Sequence, residues 1–449
     1  MGEILVPAEA LYGAETERAV ENFPISRLRF TRPFIRALGL IKSAAAAANR
    51  ELGELEPAIA GAIERAAEQV AAGQHDSEFV VDVFQTGSGT STNMNANEII
   101  ATLAGGEIDR PGVRVHPNDH VNRGQSSNDV IPAAIHIAAA EQVRHELLPA
   151  MAALAESLQA KAHEFHGVIK IGRTHLQDAV PMRLGQEFSG YARQVEASLE
   201  RVHAALDGIY ELPLGGTAIG TGLNAPEGFA RAVIRKLAER TRLPFREAAN
   251  HFEAQAARDA VSFLSGALKT YAVALTKIAN DVRWLGSGPR CGIGELRLPA
   301  VQPGSSIMPG KVNPVIAESL LMVCAQVIGY DAAITWSCAM GNFELNVMLP
   351  VIAYDLLESI ELLANATRNF KEKLIDGLEA DRERAAAFVE QSLALVTALA
   401  VELGYDQAAA LAKEAYATGR TVREVAREKS GLSEQRLNEL LDPAAQAGR

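Results

Sequence analysis

Long stretches of the chain place apolar residues three and four positions apart, which is the spacing of one buried helix face. The first two stretches are residues 32–52 and 56–73, and both are rich in alanine, a strong helix former. Five longer stretches of the same kind follow: 129–165, 185–212, 253–286, 314–339 and 349–378. Strand-like segments are short, as in residues 167–174. The pattern predicts a mainly α protein whose long helices pack side by side as a bundle.

The order of these stretches predicts three domains. A mostly helical N-terminal domain covers residues 1–128, and the long helices form a central bundle domain over residues 129–353. A smaller, charge-rich helical domain covers residues 354–449. No fixed-period repeat or low-complexity linker interrupts the chain, so we expect all three domains to be folded.

Composition and charge narrow the class of protein. Of the 449 residues, 48% are hydrophobic, which is enough for a large core. Lysine and arginine number 43 against 55 aspartate and glutamate residues, giving a net charge of −12. This acidic balance argues against general nucleic-acid binding, which favours a basic face. An anionic substrate would therefore need a locally positive site.

The ends and the cysteines indicate where the protein works. The N-terminal segment has no basic region followed by an apolar core, so we predict no signal peptide. No uninterrupted apolar run approaches the roughly 18 residues that a membrane helix needs. The three cysteines are odd in number and lack CxxC spacing, which is typical of reduced thiols in a cytosolic protein. We expect a cytoplasmic protein with no membrane partner.

Small polar residues gather in four places, each directly before a helical stretch: 86–98, 116–129, 171–188 and 303–314. Helix N-termini carry free N–H groups and a partial positive charge, so they attract carboxylates. In the fourth loop Lys311 adds a full positive charge. Asn313 is the expected N-cap there, with Pro314 as the first helical residue. These loops are candidate anion sites.

Simpler interpretations remain open for each loop taken alone. Serine, threonine, asparagine and glycine before a helix are most often ordinary caps and turns. The run GSGTST resembles a nucleotide-binding loop, but it lacks the third glycine of GxGxxG and a βαβ context. His116 and His120 would suit a metal on a helix, whereas Pro117 and Asn118 favour a turn. A lone histidine such as His175 is more often structural.

The loop GSSIMPGKVNP (304–314) resembles the signature of the aspartase/fumarase superfamily, whose members form or break C–N or C–O bonds with fumarate as the common product. Further segments resemble the superfamily in the same order along the chain: 21–26, 87–98, 116–122, 125–129, 172–179, 215–224, 287–295, 341–347 and 418–426. The resemblance covers essentially the full chain.

Four places favour class II fumarase over aspartate ammonia-lyase, which stays the alternative. Ser88 and Ser127 stand where aspartases tend to have alanine and threonine. The segment GPRCGIGE (288–295) is fumarase-like, and aspartases favour glutamine and leucine in place of Asn342 and Phe343.

Two departures from the fumarase pattern concern the pocket. Arg123 and the glycine after it replace the usual Met-Ser before QSSND, and Met348 resembles aspartases. A non-catalytic relative, such as the superfamily members of the eye lens, is a further alternative. It is disfavoured because Ser305, Lys311 and His175 are all present.

The resemblance implies reversible hydration of fumarate to L-malate, a step of the tricarboxylic acid cycle, with no cofactor and no metal. Ser305 would act as the base that removes a C3 proton of malate. Lys311 and Asn313 would stabilise the aci-carboxylate that forms. His175 would act on the water or hydroxyl group as acid and base, oriented by Glu318.

The resemblance also implies the substrate contacts and the assembly. The two substrate carboxylates would be bound by Ser88, Thr90, Ser126, Ser127, Asn128 and Thr174. A second anion site near the entrance would involve His116, Asn118 and Asp119. The long helices of four subunits would form one central core, and each active site would draw loops from three subunits. We therefore expect a homotetramer.

Overall fold

The computed structural model describes residues 2–108 and 114–448. Its α-helices are α1 (Ala14–Asn22), α2 (Arg32–Glu51), α3 (Pro57–Ala71), α4 (Thr90–Glu107), α5 (Ser127–Gln142), α6 (Leu148–Glu164), α7 (Leu184–Ile209), α8 (Phe229–Thr241), α9 (His251–Ala256), α10 (Asp259–Leu285), α11 (Val315–Cys338), α12 (Leu349–Phe370), α13 (Arg382–Gln391), α14 (Ala400–Leu403), α15 (Tyr405–Thr418), α16 (Val422–Lys429), α17 (Glu434–Leu440) and α18 (Pro443–Gln446). The prediction of a mainly α protein is confirmed.

The strands are short and pair two at a time. They are β1 (Ile169–Thr174), β2 (Gln177–Arg183), β3 (Glu211–Leu212), β4 (Arg246–Glu247), β5 (Leu296–Arg297), β6 (Gly341–Asn342), β7 (Leu345–Asn346) and β8 (Glu379–Ala380). Strands β1 and β2 form an antiparallel hairpin, as do β6 and β7. Strand β3 pairs with β4 in parallel, and β5 pairs with β8 antiparallel. The predicted strand at 167–174 is confirmed as β1.

Most long helices begin and end within a few residues of their predicted bounds. The stretch 129–165 is α5 and α6 joined by a π-helical turn at Val143–Leu147. The stretch 253–286 differs, because it breaks between α9 and α10. Ala257 adopts an extended conformation (φ −91°, ψ 153°), which ends α9. The next residue, Arg258, is only 2% exposed. The apolar spacing continues across this break, so the sequence pattern does not reveal it.

The segment 86–98 is mostly helical, so the expectation of a loop there was wrong. Helix α4 begins at Thr90, after Gly89 in the left-handed conformation (φ 71°). Asn93, Asn95 and Asn97 are buried inside this helix. Asparagine is a weak helix former in isolation. Burial against neighbouring elements overrides that preference here.

The chain folds into two compact units, and each is built from three stretches. Unit 1 comprises Met1–Pro149, Leu199–Ala272 and Val323–Ala364, and unit 2 comprises Ala150–Ser198, Val273–Met322 and Asn365–Arg449. This grouping follows packing within one chain. It does not decide the three predicted domains at 1–128, 129–353 and 354–449, which stay a prediction.

The core of unit 1 surrounds helix α2. This helix packs against α3, α5 and α8, and its buried apolar side chains include Phe34, Ile35, Leu38 and Ile41. Gly39 allows the closest approach to α3, since a Cβ there would lie 2.6 Å from the backbone nitrogen of Ala71. Small residues therefore bring α2 and α3 into close backbone contact.

The core of unit 2 is a separate apolar cluster beside the β1–β2 hairpin. Its buried members come from α13, α15, α16, α17 and the 3₁₀ turn at Leu393–Ala398, and they include Val389, Leu395, Leu411 and Val425. Helix α13 packs on β1. The C-terminal helices thus support the hairpin that carries His175.

Helix α11 differs from the others in how little of it is buried. By length and mean hydropathy (1.4) it is the one helix in the described residues that is long and apolar enough to cross a membrane. Only 28% of that apolar window is buried within the chain. Met322 and Trp336 on this helix are 67% and 68% exposed. Exposed apolar faces are typical of interaction surfaces.

Candidate active site

Three hydroxyl groups form a hydrogen-bonded chain in unit 1. The Oγ of Ser88 lies 2.7 Å from the Oγ1 of Thr90, which lies 2.7 Å from the Oγ of Ser127. Thr90 begins α4 and Ser127 begins α5, so two helix N-termini meet at this point. Hydroxyl donors beside helix N-termini suit a carboxylate. The structure therefore brings together three of the residues predicted to bind substrate.

The N-terminus of α5 carries two more of them. Ser126 caps the helix, and its Oγ accepts a hydrogen bond from the backbone N–H of Asn128 (3.2 Å). Asp129 completes a capping box by accepting from the N–H of Ser126. The Asn128 side-chain amide donates to the Ala218 carbonyl (2.8 Å). The segment 126–129 is therefore held by its own caps and by the 215–218 loop.

Asp129 was not among the predicted site residues, although the S-x-x-D spacing from Ser126 could have indicated it. Its carboxylate is fully buried and accepts from the N–H groups of Gly215 (3.0 Å) and Thr217 (2.9 Å). Burial raises the pKa of Asp129 to about 6, while these backbone N–H groups and Lys42 favour the charged form. Asp129 links the α5 N-terminus to the glycine-rich 215–217 turn.

The segment 341–347 packs against the loop that carries Ser88. A Cβ on Gly87 would lie 1.8 Å from the Val347 carbonyl oxygen, and the Leu349 N–H donates to the Gly87 carbonyl (3.0 Å). Asn346 fixes this segment by donating to the Ser337 carbonyl (2.9 Å). The motif GNFELNV thus supports the loop that carries Ser88.

His116, Asn118 and Asp119, predicted as a second anion site, lie at the start of a π-helical turn (Pro117–Val121) that His116 caps. The His116 Nδ1 accepts from the N–H groups of Asn118 and Asp119, each at 3.2 Å. Those two donors are therefore already used. A cavity of about 570 Å³ lies beside the turn, and His116 lines it together with Arg18 and Arg114.

Arg123, which departs from the fumarase pattern, pairs outside this cluster. Its guanidinium Nη2 lies 2.7 Å from the Glu54 carboxylate. Gly124 takes the left-handed conformation (φ 72°). The unusual Arg-Gly pair therefore forms a turn with an exposed ion pair.

His175 lies in unit 2, in the two-residue turn between β1 and β2. Thr174 pairs with Gln177, and His175 and Leu176 between them have φ of 54° and 59°. Such turns favour Asn-Gly, so two ordinary side chains here store strain of the kind found at functional sites. Pro181 lies within β2.

A buried ion network anchors this hairpin. Arg173 makes two hydrogen bonds to the fully buried carboxylate of Glu295, at 2.9 and 2.8 Å. Lys170 is 1% exposed and lies 3.3 Å from Glu187 and 3.5 Å from Glu295. Burial raises the pKa of Glu187, and the Lys170 ammonium opposes that shift. The GPRCGIGE segment therefore fixes the strand that leads to Thr174 and His175.

Ser305, Lys311 and Asn313 share one closed loop of unit 2. The Ser305 Oγ accepts from the backbone N–H groups of Ile307 (3.3 Å) and Met308 (3.1 Å). The Gly304 N–H donates to the Lys311 carbonyl (2.9 Å), and a Cβ on Gly304 would lie 2.3 Å from that oxygen. The loop closes only with glycine at this position.

Asn313 does not cap the following helix, so that expectation was wrong. Helix α11 begins at Val315, and the Asn313 side-chain amide donates to the Gly304 carbonyl instead. Pro314 separates Asn313 from the first residue of α11. The Asn313 side chain therefore closes the loop and does not cap the helix. Lys311 is exposed and lines a cavity of about 680 Å³. Arg283, Arg297 and Arg384 line the same cavity together with one carboxylate, Asp381, so the charged side chains of the lining are positive on balance.

His175 and Glu318 do not pair within one chain. Thr174, His175 and Glu318 are all exposed, and no hydrogen bond joins His175 to Glu318 in the part of the chain that the structure describes. The same part of the chain contains no cluster of three or more His, Cys, Asp or Glu side chains able to hold a metal ion.

Family models match most of the chain. A lyase family model matches residues 2–329, and a model of the fumarase C C-terminus matches residues 395–445. The chain is 55% identical to a class II fumarate hydratase of Mycobacterium tuberculosis, over 98% of this chain and 92% of that protein. It is 52% identical to a class II fumarate hydratase of Corynebacterium glutamicum, over 100% of this chain and 95% of that protein.

Solved structures agree with the sequence relatives. The crystal structure of recombinant class II fumarase from Schistosoma mansoni superimposes with a TM-score of 0.96 at 42% identity, covering 100% of this chain and 98% of that one. The resemblance carried by the motifs is therefore confirmed over the whole chain, and so is the choice of class II fumarase over aspartate ammonia-lyase. The chain belongs to the class II fumarate hydratase family of lyases.

Proposed function

We propose that this chain is a hydro-lyase that interconverts fumarate and L-malate, as the names of its relatives suggest. The observation that carries the proposal is the Ser305 loop. Two backbone N–H groups converge on the Ser305 Oγ, and a cationic side chain, Lys311, lies in the same loop. Such donors stabilise an alkoxide, which a serine must become in order to act as a base.

The proposed reaction has two half-steps. In the malate direction the Ser305 alkoxide takes the proton from C3, and the electron pair moves into the neighbouring carboxylate to give an aci-carboxylate dianion. Lys311 and Asn313 stabilise that charge electrostatically. The C2–O bond then breaks, and the hydroxyl group leaves as water after receiving a proton from His175. Hydration of fumarate follows the reverse order.

The proposed carboxylate contacts come from separate segments of the sequence. The hydroxyl chain of Ser88, Thr90 and Ser127 supports binding in unit 1, since its donors lie at two helix N-termini. Ser126 and Asn128 are assigned to the same carboxylate group, and Thr174 to the hairpin side. The N-termini supply the local positive potential that the net charge of −12 lacks.

We propose a homotetramer in which each active site takes loops from three subunits. The exposure of His175, Lys311 and Glu318 supports this arrangement, because acid–base groups work best in a site closed to water. The exposed apolar residues of the long helices support it as well, including Phe263 (63%), Trp284 (51%) and Trp336 (68%). Glu318 would then orient His175 from a neighbouring subunit.

We also propose a second anion site, with a different set of residues from the one predicted. Asn118 and Asp119 use their backbone donors on His116, so the cavity beside the turn is the better candidate. Arg18 and Arg114 would supply positive charge there, beside the Glu15 and Glu98 carboxylates that line the same cavity. We further propose that the enzyme acts in the cytoplasm, in the tricarboxylic acid cycle.

The test is ultraviolet absorbance of fumarate formed by the purified protein without added cofactor. A rise with L-malate and none with L-aspartate is the expected result. A rise with aspartate alone would assign the chain to the ammonia-lyases and contradict the proposal. No rise in absorbance with either substrate would contradict the catalytic assignment of Ser305 and His175.

A further inference from the structure

Lys42 of helix α2 is a fully buried lysine whose ammonium group faces a loop rather than a carboxylate. Its side chain is 0% exposed. The Nζ donates to the side-chain oxygens of Asn122 (2.9 Å) and Gln125 (3.0 Å). Both acceptors are neutral amides, so the lysine does not form a simple ion pair at this site.

Keeping a positive charge here costs free energy. Burial lowers the pKa of Lys42 to about 7, and Asp129 on α5 is the charged group that favours its protonated form. Replacing buried charged groups by well-packed apolar residues is often neutral or stabilising. A buried lysine is therefore weak evidence for a stabilising role, and its partners indicate what else it does.

Its two partners bracket the turn that leads into Ser126. The Gln125 N–H donates to the Asn122 carbonyl (3.0 Å), and the Asn122 side-chain amide donates to the Gln125 carbonyl (3.2 Å). The Gln125 side-chain amide donates to the Val121 carbonyl (3.1 Å). The turn is closed on itself, and both of its side-chain oxygens point inward to the same ammonium group.

Helix α4 converges on the same point. The side-chain amides of Asn93 and Asn97 donate to the Asn122 Oδ1 at 3.2 and 3.3 Å. That oxygen therefore takes donors from α2 and from α4. Helix α4 begins at Thr90, whose hydroxyl bonds to Ser127. One buried node thus ties together the helix that starts at Thr90 and the turn that precedes Ser126.

We propose that Lys42 is a positioning residue for substrate binding: its ammonium fixes Asn122 and Gln125, and thereby sets the place of the Ser126–Asn128 helix N-terminus. The inference rests on the proposed role of that N-terminus in binding a substrate carboxylate. Lys42 touches no part of the proposed substrate site itself. It acts through the turn at Asn122–Gln125.

The test compares Lys42→Met and Lys42→Gln with the unchanged protein. Methionine keeps much of the length and removes all donors, whereas glutamine keeps one amide donor. A group that positions a substrate contact made in both ground and transition states changes KM more than kcat. We expect KM for L-malate to rise about tenfold or more in Lys42→Met, with an intermediate rise in Lys42→Gln and little change in kcat.

A matched control separates positioning from general loss of packing. Lys161 is also a buried lysine (8% exposed), and in unit 2 it donates to the Leu378 carbonyl (2.8 Å) and to the Glu164 carboxylate (2.8 Å). Lys161→Met should lower the melting temperature and leave KM unchanged. Hydrogen exchange gives a readout besides activity. The amides of residues 121–130 should exchange faster in both Lys42 variants, with the rest of unit 1 unaffected.

Ser126→Ala distinguishes failure of this inference from failure of the proposed function. If Ser126→Ala raises KM and the Lys42 variants raise neither KM nor exchange in residues 121–130, the positioning role is wrong. If Ser126→Ala leaves KM unchanged, the proposed binding site is wrong. Should Lys42→Met fail to fold, Lys42→Gln decides the question by the same two readouts. If KM and hydrogen exchange in Lys42→Gln equal those of the unchanged protein, the inference is overturned.

Discussion

At the residue scale, Ser305 is the side chain on which the proposed chemistry depends most. Its Oγ accepts two backbone N–H groups, whereas the neighbouring Ser306 is exposed. The two serines are adjacent and chemically identical, so only their surroundings differ. Those donors would stabilise an alkoxide at Ser305 and not at Ser306.

Ser305→Ala should lower kcat by about 10²–10⁴-fold, the usual contribution of a positioned base, with a much smaller change in KM. Ser306→Ala is the matched control and should keep nearly full activity. The measurement is steady-state fumarate formation from L-malate. Equal losses in the two variants would mean that the loop, rather than the Ser305 hydroxyl, matters.

His136 gives a pH prediction at the same scale. It is 6% exposed, and burial together with the positive charge of Arg258 lowers its pKa to about 3. Between pH 6.5 and about 3 the unfolded chain binds a proton at this histidine and the folded chain does not. The free energy of unfolding therefore falls as the pH falls through that window, by up to about 1.4 kcal/mol per pH unit from this group.

His136→Asn keeps a donor toward the Glu211 carbonyl, which His136 Nδ1 approaches at 2.8 Å, and removes the titration. Between pH 6.5 and 4, the slope of its free energy of unfolding against pH should be smaller. The decrease corresponds to about one proton fewer taken up on unfolding. Denaturant unfolding at several pH values measures the slope. Asp129 has a raised pKa and contributes a slope of opposite sign in both proteins, so it cancels in the comparison. Identical slopes would contradict the buried neutral state of His136.

At the element scale, the start of α4 depends on a glycine that faces backbone. Gly87→Ala would place a Cβ 1.8 Å from the Val347 carbonyl oxygen, and no side-chain rotation relieves that contact. We expect a loss of about 1–3 kcal/mol of stability and a raised KM, since the Ser88 loop must shift. Melting temperature and KM are the measurements.

Gly105→Ala, within helix α4, is the matched control. A Cβ there meets nothing within 4 Å, so alanine should be neutral or stabilise by about 0.5–1 kcal/mol. An unchanged KM in both variants would show that the 341–347 segment does not position the Ser88 loop.

At the scale of the whole molecule, the proposed shared site predicts subunit complementation. Ser305→Ala and His175→Asn subunits are each expected to be inactive, and asparagine tolerates the left-handed φ of 54° at His175. If the two residues reach a site from different subunits, random mixing restores both groups in about a quarter of the sites. Activity after mild unfolding and refolding of the mixture measures this. Each variant refolded alone is the control, and a mixture that stays inactive would contradict the shared site.

Much of the fold was determined by sequence alone, and the sequence also provided the candidate site residues. Helical periodicity is local, so α2, α3, α7 and α11 begin and end close to their predicted bounds. The loop motifs are local as well, and their residue types and order are enough to identify Ser305, Lys311 and His175 as candidates. Family membership followed from the same motifs, because short segments in a fixed order are highly specific.

Tertiary structure decided what depends on distant segments. Three features depend on packing or hydrogen bonds that the local sequence pattern does not contain. They are the break before Arg258, the helical conformation of residues 90–98 and the closing of the loop by Asn313. The burial of Lys42 and of Asp129 was not evident from the sequence for the same reason, although the S-x-x-D spacing indicates that Asp129 takes part in the cap of α5. The sequence predicts that a lysine in an alanine-rich helix faces solvent. In the folded chain, the turn at Asn122–Gln125 covers Lys42. Burial is a property of the assembled chain, and burial sets the charge, pKa and role of these groups.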